Sequence, residues 1–160
     1  MVKRLFVVRS GECEYDNDRL LLSKHGKASI TILAQKIAEK IKSGNVLIFR
    51  TSAFRAGECA DIISKALGKR HNGDIITSNE LWINKDIIGS NLSKSLNYLS
   101  RYLEQADTII IVSHSIFAAN FPSHFAEKVL KTKLSSYSID NACAWAIDCN
   151  KKTISKIEPF

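Results

Sequence analysis

Two short polar segments, each following an apolar run, contain side chains that could bind an anion. Arg9-Ser-Gly-Glu12 follows the run 5–8, and Ser113-His-Ser115 follows the run 109–112. Apolar runs that do not alternate with polar residues are typical of central strands buried on both faces. Open α/β sheets bind ligands at the carboxyl ends of such strands. Arg9 and His114 are therefore predicted to meet at one end of a sheet, where they would form an anion site.

A third segment, Thr51-Ser-Ala-Phe-Arg-Ala-Gly-Glu-Cys-Ala60, lies between the other two. Taken in this order, the three segments resemble the motifs Arg-His-Gly-Glu, Ser-Ser-x-x-x-Arg-Ala-x-Glu-Thr-Ala and Gly/Ser-His-Gly of the histidine phosphatase (phosphoglycerate mutase-like) superfamily. The resemblance covers residues 4 to 150. It implies an α/β fold with one domain over residues 1–160. That domain is expected to be a three-layer α/β/α sandwich, with helices on both faces of a mostly parallel central sheet.

The resemblance also implies which side chains bind phosphate. Arg9 and Arg55 correspond to arginines that do so in the family, and Ser52 lies in the same motif as Arg55. A guanidinium group suits this role because it donates two parallel, charge-assisted hydrogen bonds to phosphate oxygens. Each arginine could instead have a purely structural role. Arg9 could be a salt-bridged loop residue, and Arg55 a helix-surface charge that pairs with Glu58 or Asp61.

Ser10 occupies the position at which the family has its nucleophilic histidine, and His114 corresponds to the histidine that contacts the transferred phosphoryl group. Neutral imidazole is nucleophilic near neutral pH, whereas a serine hydroxyl is inert until a base removes its proton. Three interpretations follow. The chain could be an inactive or weak phosphatase, a pseudophosphatase that only binds phosphorylated partners, or an enzyme in which His114 activates Ser10. Ser115 replaces the usual glycine after this histidine.

Three carboxylates could assist the site. Glu12 and Glu58 are expected to orient an arginine rather than to transfer a proton. Glu80 is a candidate acid for the leaving group, although its surroundings favour a surface residue. The chain is short and lacks a large insertion, as in SixA-type phosphohistidine phosphatases. The resemblance therefore implies a phosphorylated small molecule or a phosphohistidine protein as partner, inorganic phosphate or sulfate as simple ligands, and no cofactor.

Composition narrows the possible partners. The formal net charge is +7, but the lysines are scattered, which predicts solvated helix faces rather than a nucleic-acid surface. No apolar stretch approaches the ~20 residues of a membrane span, and the N-terminus has no run of signal-peptide length. The four cysteines lack C-x-x-C spacing, so we expect reduced thiols, no metal site and a cytoplasmic protein.

The periodicity of the chain predicts alternating strands and helices, a pattern typical of a mostly parallel sheet. We expect a loop at 20–26 and mainly turns at 72–91, with one short strand around 75–76. The other predicted elements are strands at 5–8, 46–49 and 108–112, helices at 27–42, 51–67, 92–105 and 116–131, and a terminal hairpin at 142–149 and 153–157.

Overall fold

A computed structural model describes residues 1–71 and 73–160, so Asn72, the first residue of the predicted turn region, lies outside the described residues. The chain forms a six-stranded sheet in the order β5-β4-β6-β1-β7-β8 and a separate hairpin, β2-β3. The strands are β1 (Arg4–Arg9), β2 (Cys13–Asp16), β3 (Arg19–Leu22), β4 (Val46–Arg50), β5 (Ile76–Thr77), β6 (Thr108–Ser113), β7 (Ala144–Asp148) and β8 (Thr153–Ile157). The helices are α1 (Lys24–Lys40), α2 (Phe54–Leu67), α3 (Ile88–Ser100) and α4 (Ser115–Phe125).

The sheet separates two apolar layers, as the sequence predicts. Along β6, every residue is buried. Ile110 and Val112 contribute to the core beneath α1 and α2, whereas Ile109 and Ile111 contribute to the core beneath α3 and α4. The pairings β5-β4, β4-β6 and β6-β1 are parallel, and β1-β7 and β7-β8 are antiparallel. The predicted α/β fold with helices on both faces is confirmed.

The sequence prediction was wrong between the first strand and the first helix. Instead of a loop at 20–26, the chain forms the β2-β3 hairpin, whose turn residues Asn17 and Asp18 both have positive φ angles. Two such residues form the tight turn that suits the twist of paired strands. Helix α1 begins at Lys24 because the Ser23 hydroxyl accepts a hydrogen bond from the Gly26 main-chain N–H.

Two predicted helices differ from the observed ones at their ends. Helix α3 begins at Ile88 and ends at Ser100, earlier at both ends than the prediction of 92–105. Helix α4 ends at Phe125 and continues as a π-helical turn, Ala126–Leu130, after which Lys131 adopts a left-handed conformation. Within the described part of the chain, no helix has the length and apolar character required to cross a membrane.

Arg70 joins the carboxyl ends of α1 and α2. Its Nη1 donates to the carbonyl oxygens of Ala38, at 2.7 Å, and Ile41, at 2.9 Å, at the end of α1. Its Nε and Nη2 donate to Leu67 and Ala66 at the end of α2. The last carbonyls of a helix lack intrahelical partners and carry partial negative charge. One guanidinium group therefore satisfies the ends of both helices on this face of the sheet.

We expect Arg70→Met to lower the free energy of unfolding by about 1–2 kcal/mol, because it removes charge-assisted bonds to two helix ends. Urea denaturation should show a lower midpoint with an unchanged slope. Lys69→Met is the matched control, since it removes the same charge from the exposed neighbouring residue. Equal midpoints for the two variants would contradict a stabilising role for Arg70.

Candidate functional site

A cavity of about 180 Å³ opens at the carboxyl ends of β1 and β6. These strands are parallel and pair Arg9 with Ser113, so Arg9 and His114 lie at the same edge of the sheet. The cavity brings together four of the predicted site residues, Arg9, Ser10, Arg55 and His114. Its lining residues are Arg9, Ser10, Gly11, Cys13, Arg55, His114, Ser115 and Asn141.

Arg9 is the last residue of β1, and its half-buried side chain is held by the main chain. Its Nη1 donates to the carbonyl oxygen of Ile139 at 2.5 Å. This is one of the five N–H donors of a guanidinium group. Among the described residues, no carboxylate pairs with Arg9, so the predicted alternative of a salt-bridged loop residue is not observed.

Arg55 is the second residue of α2. Its guanidinium group has no hydrogen-bond or ion-pair partner in the described ranges 1–71 and 73–160. The residue that precedes the helix, Ala53, provides no side-chain cap. The first N–H groups of a helix attract anions, because they lack intrahelical partners and lie at the positive end of the helix dipole. The start of α2, which has no side-chain cap, and the Arg55 guanidinium group are therefore both positioned to attract an anion.

His114 precedes α4 and caps it. Its Nδ1 accepts a hydrogen bond from the Phe117 main-chain N–H at 3.3 Å, and its Nε2 lies 2.9 Å from the carbonyl oxygen of Ile83. These partners require a neutral ring with the proton on Nε2, which donates to Ile83. Both ring nitrogens are thus engaged within the protein. A direct bond from His114 to a phosphoryl group would require Nε2 to leave Ile83.

The surroundings of His114 also set its charge. Burial lowers the pKa of His114 below its ordinary value of 6.5, and the Arg55 guanidinium lowers it further, whereas the hydrogen bond to Ile83 acts in the opposite direction. The imidazole is therefore neutral at pH 7. Burial is the larger of the two causes that favour the neutral ring, and the Arg55 guanidinium adds to it.

Ser10 is 6% exposed, and its main chain is fixed on both sides. Its N–H donates to Ser113, and its carbonyl oxygen accepts from Ala142. In the described part of the chain, its hydroxyl has no hydrogen-bond partner. His114 cannot deprotonate Ser10 in this arrangement, because Nε2 carries a proton and Nδ1 accepts from the helix. The interpretation in which His114 activates Ser10 therefore lacks the required contact.

Within residues 1–71 and 73–160, neither Glu12 nor Glu58 bonds to an arginine, which differs from the prediction that they orient one. Oε1 of Glu58 accepts from the main-chain N–H of Leu22 at 2.8 Å, and Oε2 lies 3.6 Å from Nζ of Lys27. Oε1 of Glu12 accepts from the Ser23 hydroxyl at 3.0 Å. Neither carboxylate lines the cavity. Glu58 instead fastens the β2-β3 hairpin to α2, and Glu12 contacts the residue that caps α1.

Ser52 and Glu80 also lie outside the cavity lining. Both are exposed. The main-chain N–H of Ser52 donates to the Asn79 side chain at 3.4 Å, and the Glu80 carbonyl oxygen accepts from the Ser95 hydroxyl at 2.5 Å. The structure therefore gives Glu80 a surface position and gives Ser52 a contact with the segment that precedes Trp82.

Two residues that line the cavity, Cys13 and Asn141, lie outside the sequence motifs and were not predicted. Cys13 reaches it because the chain turns sharply after β1, where Gly26 lets α1 approach so closely that a Cβ at that position would overlap the Glu12 carbonyl. Burial raises the pKa of the Cys13 thiol, so this side chain is uncharged at neutral pH. Asn141 lies in the turn before β7 and carries no sequence signal. Across the described residues, no group of three or more potential ligands could hold a metal ion.

Several solved phosphatases have a similar fold. The structure of the protein histidine phosphatase SixA complexed with tungstate matches with a TM-score of 0.71 at 16% identity, covering 98% of this chain and 97% of that one. A phosphohistidine phosphatase SixA from Agrobacterium tumefaciens has a TM-score of 0.64 at 12% identity, with 98% and 96% covered. A mycobacterial glucosyl-3-phosphoglycerate phosphatase in complex with VO3 has a TM-score of 0.66 at 14% identity, with 98% of both chains covered.

These likenesses define the class of fold. No family model matches the sequence, and no curated protein sequence matches it. The fold of this chain nevertheless matches those of the solved phosphatases over nearly the whole chain. The chain therefore has an α/β fold that matches those of phosphoglycerate mutase-like phosphatases.

Bound sulfate is expected to raise the pKa of His114, because an anion in the cavity stabilises the imidazolium form. By linkage, sulfate should bind more tightly as the pH falls from about 8 to about 5, a range in which sulfate keeps its charge. Titration of the histidine ring protons by NMR, with and without sulfate, would measure both effects. His71, at the opposite end of α2, is the internal control. Equal shifts at His71 and His114 would show that sulfate acts nonspecifically.

Proposed function

We propose that this chain binds phosphoryl groups in the cavity between β1, α2 and α4, and that it hydrolyses them weakly or not at all. The observation that supports binding most directly is the charge of the lining. Two guanidinium groups, those of Arg9 and Arg55, face the cavity, and among its described lining residues there is no carboxylate. An anion of tetrahedral oxygens fits such a lining because each guanidinium can donate charge-assisted hydrogen bonds.

Two helix N-termini strengthen this proposal. Helix α2 begins without a side-chain cap beside Arg55. Helix α4 begins at Ser115, which lines the cavity, and its only side-chain cap is the bond from Phe117 to His114. In the first turn of α2 the N–H groups of Ala56 and Gly57 donate to the Ala53 carbonyl oxygen, which leaves the earliest N–H groups of each helix to face an anion. Both helix dipoles favour negative charge at this place.

Weak or absent turnover follows from Ser10. The reaction implied by the resemblance begins with attack on phosphorus by a nucleophile at this position. A serine hydroxyl needs a base within hydrogen-bond reach, and the described residues offer none to it. The alternative, a pseudophosphatase that holds a phosphorylated protein or small molecule, is favoured by the engagement of both His114 nitrogens.

The solved phosphatases support two classes of phosphorylated partner. The SixA structures favour a phosphohistidine protein, and the glucosyl-3-phosphoglycerate phosphatase favours a phosphorylated small molecule.

We propose a cytoplasmic location, because the cysteines are all free thiols, as is usual for proteins of that compartment; they are Cys13, Cys59, Cys143 and Cys149.

Arg55→Ala should weaken sulfate binding roughly tenfold to a hundredfold, since a hydrogen bond from a charged donor contributes about 1.5–3 kcal/mol. The fold should persist, because the half-buried Arg55 side chain has no partner in the described structure. Isothermal titration calorimetry with sulfate would measure the affinity. Arg101→Ala is the matched control, as it removes an exposed arginine that does not line the cavity. An unchanged affinity in Arg55→Ala would contradict the proposed site.

Ser10→His should create or greatly increase phosphatase activity, because imidazole supplies a nucleophile that does not need a separate base. Removal of a nucleophile typically costs several orders of magnitude in turnover, so its return should change the rate on that scale. The assay would compare the unmodified chain, Ser10→His and Ser10→Ala on 4-nitrophenyl phosphate and on a phosphohistidine peptide, in buffer with a chelator.

The controls separate the two versions of this function. Activity in Ser10→His that disappears on adding Arg55→Ala would locate the reaction in the cavity. Silence of Ser10→His with intact sulfate binding would favour the pseudophosphatase. Robust turnover by the unmodified chain that is lost in Ser10→Ala would overturn the proposal in favour of a serine nucleophile.

A further inference from the structure

Trp82 is an exposed indole fixed against the cavity histidine. Its ring centroid lies 3.8 Å from that of His114, and the two ring planes are inclined by 36°. The residue nevertheless remains 42% exposed. An exposed indole that is held in place beside a cavity offers a ligand a large aromatic surface in a fixed orientation.

The position of Trp82 is set by the main chain on either side of it. Trp82 is extended, with φ −117° and ψ 139°, so its side chain points away from those of its neighbours. Leu81 and Ile83 are buried in the core beneath α3 and α4. Their carbonyl oxygens accept hydrogen bonds from Ser113 and from His114, respectively, at 2.7 and 2.9 Å. The indole is therefore held over His114 before any ligand arrives.

The size of the cavity decides what the indole could contact. Pockets that enclose whole small-molecule ligands typically measure about 300–1,000 Å³. This cavity measures about 180 Å³. It can enclose a phosphoryl group, but the group that carries the phosphoryl must lie largely outside, at the rim. Because His114 lines the cavity and Trp82 packs against its ring, the imidazole ring lies between the cavity and the indole on that side.

We propose that Trp82 is a specificity residue that selects phosphoryl groups attached to a flat, unsaturated ring. This inference rests on the proposed phosphate site. With the phosphoryl group between Arg9 and Arg55, a ring bonded directly to it emerges at the rim, where the indole offers an aromatic face or edge. A saturated ring of similar size gains apolar contact but lacks the electrostatic complementarity of two aromatic rings. An open alkyl chain gains less from a rigid planar surface.

The test uses phosphonates, which bind without being hydrolysed. Calorimetry would give the affinities of the unmodified chain for methylphosphonate, phenylphosphonate and cyclohexylphosphonate. We expect phenylphosphonate to bind roughly threefold to tenfold more tightly than cyclohexylphosphonate, the range for an added aromatic pair. Phenylphosphonate should also quench tryptophan fluorescence through Trp82, since Trp145, the other tryptophan, is buried.

Two variants separate stacking from burial of apolar surface. Trp82→Leu keeps an apolar side chain without an aromatic face, so it should equalise the phenyl and cyclohexyl affinities and abolish the quenching. Trp82→Phe should retain part of the preference. The ratio of the two affinities is the readout, because it is insensitive to a general change in phosphonate binding.

A peptide that bears the same aryl phosphonate shows which kind of molecule carries the ring. Tighter binding of the peptide than of phenylphosphonate indicates a protein side chain, and equal binding indicates a free aryl phosphate.

The outcomes distinguish this inference from the proposed function. Equal affinities for phenylphosphonate and cyclohexylphosphonate in the unmodified chain would overturn the role of Trp82 and leave the phosphate site intact. A preference that persists in Trp82→Leu would assign it to another residue. Failure of all three phosphonates to bind would overturn the phosphate site, and the role of Trp82 with it.

Discussion

The parallel pairing of β1 with β6 is the constraint on which the rest of the site depends. Six residue pairs align these strands from Arg4 and Thr108 to Arg9 and Ser113. Since both strands lie at the centre of the sheet and are covered on both faces, their register cannot shift without moving apolar side chains out of two cores. Arg9 and His114 therefore stay together as long as the sheet is folded. Main-chain pairing and apolar packing together fix the separation of two polar groups that have no bond to each other.

The sequence predicted this central arrangement because its signal is strong and local. The apolar runs before Arg9 and His114 could hardly form anything but buried strands, and the rule for open α/β sheets then places their polar ends together. Arg55 required the family resemblance, since nothing in its own helix distinguishes it from a surface charge. The partners of Glu58 could not be predicted, because the hairpin that it fastens carries only the weak turn signal of Asn17 and Asp18.

The hydrogen bonds of His114 show a second reason why the sequence did not predict the whole site. Its partner Ile83 lies 31 residues away, in a segment with little periodicity. The motif predicts that His114 binds a ligand, but the side chain also caps α4 and holds the segment that contains Trp82. Capping requires an unprotonated Nδ1 and therefore favours the neutral ring, as does burial, whereas the bond to Ile83 favours the charged ring. The protonation of His114 and the position of the segment that contains Trp82 consequently depend on the same ring.

The two edges of the sheet have a consequence for the behaviour of the protein at high concentration. A free strand edge presents unpaired main-chain groups that can recruit a strand from another molecule. At one edge, β5 has only two residues, too few to template a stable ladder. At the other edge, β8 is largely exposed and bears the ion pair of Lys156 with Glu158, so an approaching strand would meet charged side chains, a common feature of protected edge strands. Neither edge strand favours edge-to-edge association, so copies of this chain should resist fibrillar aggregation through the central sheet.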